Sequence, residues 1–184
     1  MANLHRRSLL FAFGILSASR LLPAQASSTR RVAVAKSGEN RFAYQKFDKD
    51  LTPICMVTSE DTAGALSLME VTVGPRKGPP RHVHHREDET YYVLSGEFLF
   101  EVDGVKHTLA QGTSIFAPRD IPHCWANSGA TDGKMLLVCT PGGFEKFFDE
   151  TAKAIMDKAP MEQMDKIMAK YGCDPLGPPL FPGS

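Results

Sequence analysis

Cysteine, tryptophan and long apolar runs are scarce in this chain, and net charge is absent. Four cysteines in 184 residues are too few for a disulfide-built scaffold. None has C-x-x-C spacing, so the common redox and zinc motifs are missing. In an oxidising compartment Cys55, Cys124, Cys139 and Cys173 could pair in three ways, and the spacing does not choose among them. Lys plus Arg equals Asp plus Glu at 21 each, which excludes the strong positive field of a sequence-independent nucleic-acid binder. The uncharged N-terminal run, Ser8 to Ser19, is 12 residues long. A spanning helix needs about 18, so no stable membrane anchor is expected.

What is present is turn chemistry. Thirteen Pro and 15 Gly are spread through a chain that is 42% hydrophobic, the composition of a folded, β-rich domain. One domain is the prior for this length.

The first 26 residues read as an address. His5-Arg6-Arg7 is basic, the apolar run follows, and Ala24-Gln25-Ala26 is a small-x-small cleavage site. This is the plan of a secretory signal, cut after Ala26. Arg6-Arg7-Ser8-Leu9-Leu10 resembles a twin-arginine signal, with His5 and Leu9 departing from the usual pattern; ordinary export is the alternative. Either route predicts a periplasmic or secreted protein. The segment carries three arginines and no acid, so the mature chain has a formal charge of −3. Residues 27–40 are expected to be a flexible leader.

From there short alternating runs recur at intervals of about ten residues, the spacing of a sandwich or barrel. Asp103-Gly104 between Phe98–Val102 and Val105–Leu109 is a two-residue hairpin signal. After Pro141-Gly142-Gly143 the period changes. Phe144, Phe147 and Phe148, extended by Ala152, Ile155 and Met156, make one amphipathic helix. Pro160 opens a second, with Met161, Met164, Ile167 and Met168 on one face and Gly172 at its end; core packing is the expected use of that face. Pro175 to Ser184 is expected to be an extended tail.

Five histidines follow the signal, and three sit in Arg81-His82-Val83-His84-His85. Imidazole and carboxylate are the usual ligands of Zn, Fe, Mn, Ni and Cu. On a strand, residues i and i+2 share a face, so His82 and His84 can meet one ion while His85 turns away. Glu89 is the carboxylate chosen to close the site, and His123, after Ile121-Pro122, is the best fourth ligand. Taken alone, the histidine run also fits a His-rich surface loop.

The wider spacing resembles the two motifs of the cupin family. The first runs His82-x-His84, four residues to Glu89 and six more to Gly96. The second runs Gly112, five residues to Pro118, then Arg119-Asp120-Ile121-Pro122-His123 and three residues to Asn127. Asp120 stands where the family usually has Gly, and Gly78 lies closer to His82 than the family's leading Gly. The resemblance implies an all-β fold, a double-stranded β-helix (the jelly-roll cupin barrel) over residues 41–142, with two C-terminal α-helices and a Pro/Gly-rich tail over 143–184. It implies one divalent transition metal (Fe, Mn, Ni, Cu or Zn) on His82, His84, Glu89 and His123. Tyr91, Phe98, Phe100 and Trp125 are candidates for an aromatic substrate pocket. The tail is similar to that of single-domain bacterial proteins grouped with quercetin 2,3-dioxygenase. The expected activity is therefore a metal-dependent dioxygenase acting on an aromatic or enolised small molecule with O2, Glu89 taking the substrate proton. A non-catalytic binding cupin and a metal-dependent isomerase or decarboxylase are the alternatives. Open strand edges make a homodimer reasonable.

Overall fold

The computed structural model describes residues 29–42 and 50–181. The signal segment 1–26 and its cleavage site lie outside them. Among the described residues ten strands and two helices follow one another: β1 (Leu51–Val57), β2 (Ser67–Val73), β3 (Arg81–His84), β4 (Asp88–Ser95), β5 (Glu97–Val102), β6 (Val105–Ala110), β7 (Ser114–Ala117), β8 (His123–Asn127), β9 (Gly133–Thr140), α1 (Glu145–Met156), α2 (Met161–Tyr171) and β10 (Cys173–Gly177).

The strands form two five-stranded antiparallel sheets, in the orders β1-β2-β9-β4-β7 and β10-β3-β8-β5-β6. Two antiparallel sheets with alternating inward residues close over a single core. Along β2, Met69, Val71 and Val73 face inward and are almost fully buried, as are Met135, Leu137 and Cys139 on β9. The predicted hairpin is present: Val102 pairs with Val105, and Asp103 and Gly104 both take positive φ, as a two-residue turn requires.

Two expectations about the C-terminal part are corrected. The tail is not merely laid on the body, because Cys173–Gly177 pairs with β3 and covers its edge. Ile155 and Met156 do not extend the buried stripe; they are exposed, as is Met161. Thr151, Ala152 and Ala154 are buried on α1 instead. The four cysteines, whose pairing the sequence leaves open, are buried free thiols.

The leader is not wholly loose. The main-chain N–H of Arg31 donates to the Asp61 carbonyl at 2.8 Å, and Ser37 donates to Glu70 at 2.9 Å. The Arg41 guanidinium pairs with the Asp61 carboxylate. No helix among the described residues is long and apolar enough to cross a membrane.

Candidate metal centre

β3 and β8 lie side by side, with His82 opposite His123 in register. β4 lies in the other sheet. Strand alternation sends His82 and His84 inward from one sheet and Glu89 inward from the other. All four side chains are buried. One ligand atom from each lies within 4.8 Å of every other. The His84 Nε2 is 3.5 Å from Glu89 Oε1, and His123 Nε2 is 2.9 Å from Glu89 Oε2. Side chains far apart in the chain thus converge on one point.

The residues on either side hold this geometry. His82 Nδ1 lies 2.7 Å from the Pro80 carbonyl and His123 Nδ1 lies 3.1 Å from that of Ile121. A ring N–H donated to a carbonyl fixes the tautomer and leaves Nε2 free for a metal. His84 has no such partner: its Nδ1 and Glu87 Oε2 are both buried without a hydrogen bond, 3.9 Å apart. Asp120 takes φ +62° where the family's Gly was expected, a conformation Asp tolerates. Its main-chain N–H donates to the His84 carbonyl at 2.7 Å, tying the two motifs together. His85 points outward and bridges Asp120 and Asp174 at 2.7 and 3.1 Å.

Electrostatics suit a cation. Burial, reinforced by the neighbouring imidazoles, pushes the His82 pKa down to about 3, which favours the neutral ring that metal binding requires. Burial opposes the ionised form of Glu89, but His84, His123 and His82 outweigh it and hold the carboxyl below the usual range. Burial opposes protonation of His123, but its hydrogen bond to Glu89 raises its pKa. Three imidazoles, two of them held from behind by main-chain carbonyls, and an ionised carboxylate fit one divalent metal ion.

Glu89 has further partners. The Tyr91 hydroxyl donates to Glu89 Oε2 at 2.6 Å, and the Trp125 indole N–H donates to the Tyr91 oxygen at 3.0 Å. The Cys139 thiol lies 3.8 Å from Glu89 Oε1.

A cavity of about 370 Å³ opens onto His82, His84 and Glu89, a size typical of small-molecule sites. Of the four aromatic residues singled out in the sequence, Tyr91 and Trp125 form part of its wall. Phe98 and Phe100 do not line it. Both are fully buried, with Phe100 5.0 Å from Tyr91 and Phe98 6.3 Å from Trp125 between ring centroids. They pack behind the wall, because β5 faces the same core as β8 but its rings are screened by those in front.

The residues missed by sequence reasoning come from the helices. Phe144, Phe147, Phe148, Met164 and Met168 line the cavity, and Phe144 sits edge-on to His84 at 4.4 Å. The Met face read as core packing therefore contributes to the cavity. The signal was the helical stripe itself; what it would face was not encoded locally. The buried Glu145 carboxylate accepts N–H bonds from Ser59 and Gly143, both at 2.7 Å, which fixes the start of α1 against the barrel. Tyr171 on α2 donates to Glu150 on α1 at 2.6 Å.

Residues 69–139 match the model of the cupin domain, a stretch that contains all four converging side chains. Protein SchB of Streptomyces halstedii is 30% identical over 91 residues, half of this chain and 62% of that protein. The chain spans about three fifths of the length of the curated relatives it matches. Among solved structures, KdgF from a Halomonas species is 18% identical with a TM-score of 0.54, covering 62% of this chain and 97% of that one. An RmlC-like cupin from Shewanella frigidimarina is 21% identical with a TM-score of 0.49, covering 58% and 89%. Both motifs and the inward histidines of the two-sheet barrel thus fall within the stretch, residues 69–139, that matches the cupin domain.

Proposed function

We propose that the protein is an exported, metal-dependent dioxygenase that inserts O2 into an aromatic or enolised small molecule. The observation that carries this reading is the cavity: aromatic and thioether side chains from the helices close over three metal-ligand candidates. A planar, largely apolar ligand fits such walls. A small polyanionic substrate does not, which sets the decarboxylase and isomerase alternatives lower.

A bound divalent ion of the Fe, Mn, Ni, Cu or Zn group would supply Lewis-acid or redox chemistry. The protein's own contribution is the following. Phe144, Phe147 and Trp125 orient the substrate ring and exclude water. Glu89, at the cavity floor, accepts the proton of a substrate hydroxyl. Tyr91 and Trp125 hold that carboxylate in place through their relay of hydrogen bonds. General-base action by a buried carboxylate requires that it be ionised and oriented, and the surrounding imidazoles keep it so.

The test is oxygen uptake by protein loaded separately with each candidate metal, against a panel of flavonols and β-diketones. Uptake with one member, abolished in Glu89→Gln, supports the assignment. No uptake with any combination removes dioxygenation.

A further inference from the structure

The cavity lining is apolar and aromatic apart from the metal-site groups and very few others. One of those is a cation, Lys77. Its ammonium has no carboxylate partner among the described residues, unlike Arg41, Arg81, Arg119 or Lys134, which all have one. Its backbone is held on both sides. The Asn127 N–H donates to the Lys77 carbonyl and the Arg76 N–H to the Asn127 carbonyl, each at 2.9 Å. The next residue, Gly78, is pressed against β8 so closely that a Cβ there would stand 1.9 Å from the Trp125 carbonyl oxygen. Pro79 and Pro80 follow and lead straight to His82. A half-buried lysine is thus carried by a stiff segment that joins the cavity wall to the metal ligands.

A second unpaired group faces the same space from another element. Thr151 on α1 lines the cavity, is 1% exposed, and its hydroxyl has no hydrogen-bond partner. Buried polar groups are ordinarily satisfied, and leaving one unpaired is costly. An apolar chamber lined by one lysine without a carboxylate partner among the described residues and by one unpaired hydroxyl is complementary to an amphiphilic molecule.

We propose that Lys77 is a specificity-determining residue that pairs with a single anionic group on an aromatic substrate, so that the ligand class is an aromatic monoacid rather than a neutral aromatic. This inference rests on the reading of the cavity as a small-molecule site. In the bound state the ring lies among Trp125, Phe144 and Phe147, the acid group meets the Lys77 ammonium, and Thr151 offers a neutral hydrogen bond. Charge-assisted hydrogen bonds at a partly desolvated position are the strong ones, and Lys77 is the one Lys or Arg side chain among the described residues that line this cavity.

The chain's single tryptophan, Trp125, is in the cavity wall, so its fluorescence reports occupancy directly. The experiment titrates metal-loaded protein with 2-naphthoate and with its neutral isostere, naphthalene-2-carboxamide. In the wild type the acid binds about ten- to a hundredfold more tightly than the amide. Lys77→Gln removes that preference and leaves amide affinity unchanged, while Lys77→Arg retains most of it. If the acid keeps its advantage in Lys77→Gln, the metal or another group holds the anion and the Lys77 assignment is overturned. If both compounds bind equally to the wild type, the aromatic cavity reading stands and the assignment of an acidic substrate falls. If neither quenches Trp125, both fall together.

Discussion

Replacing Tyr91 with Phe tests whether the site is held from behind. The substitution deletes one oxygen and keeps the ring, which is 2% exposed and packed 5.0 Å from Phe100 and 5.9 Å from Trp125. Packing is therefore preserved, and the change falls on hydrogen bonds. Two are lost: the 2.6 Å bond from Tyr91 to Glu89 and the 3.0 Å bond from Trp125 to Tyr91. A hydrogen bond to a charged group is worth about 1.5–3 kcal/mol. The indole N–H left buried without an acceptor costs about 1–3 kcal/mol more. Together the metal-free protein should lose roughly 2.5–6 kcal/mol of stability, a large share of a typical total of about 5–15. Metal affinity should fall about 10–100-fold, the usual effect of removing a group that orients a ligand. Urea denaturation of the metal-free protein and competition with a chromophoric chelator measure the two quantities. Trp125→Phe provides the control: once the indole N–H is gone, Tyr91→Phe strands nothing, so the double variant should cost less than the sum of the singles. If Tyr91→Phe changes neither stability nor metal affinity, the relay does not position Glu89 and the assigned role of Tyr91 at the centre fails.

Further outcomes follow from individual contacts. Asp120→Ala should destabilise by about 1–2 kcal/mol relative to Asp120→Gly, because φ +62° is tolerated by Gly and strained for Ala; equal melting temperatures would contradict the turn. The Asp61 carboxyl is held well below the ordinary range, first by its hydrogen bonds to Arg41 and then by the Thr58 N–H. A depressed folded pKa adds stability above the unfolded value of about 4, and that stability is lost as pH falls towards the folded pKa. The melting-temperature gap between wild type and Asp61→Asn should thus be full at pH 6 and shrink between pH 4 and pH 2, and a pH-independent gap would refute it. Changing Arg6-Arg7 to Lys-Lys should stop export, read as loss of protein from the periplasmic fraction, if the twin-arginine route is used; unchanged export would point to the general route.

Much of the centre is legible in the order of residues alone. His82 and His84 share a strand face because side chains alternate, and the spacing to Glu89 and His123 matches a two-motif pattern whose ligands converge. Asp103-Gly104 announces its own turn, since both residues must take positive φ. The strand assignments rest on the same short-range physics: period-two hydrophobicity bounded by Pro and Gly is a property of neighbouring residues.

The rest depended on contacts between distant segments. Period 3.6 groups Phe144, Phe147 and Phe148 with Ile155 and Met156, but α1 crosses the barrel so that its first turns cover the cavity and its last side chains stay in water. Phe98 and Tyr91 read alike along their strands, yet only Tyr91 reaches the cavity, because depth within a barrel is set by which rings stand in front. Cys173–Gly177 became a strand only because β3 offered an edge. Lys77 reads along the chain as one more surface charge, and only the fold places it beside an apolar chamber, with no carboxylate partner among the described residues. Local sequence determined which groups could bind a metal and on which face they stood. Long-range packing alone decided what encloses them, because enclosure is a relation between surfaces that no short stretch of chain contains.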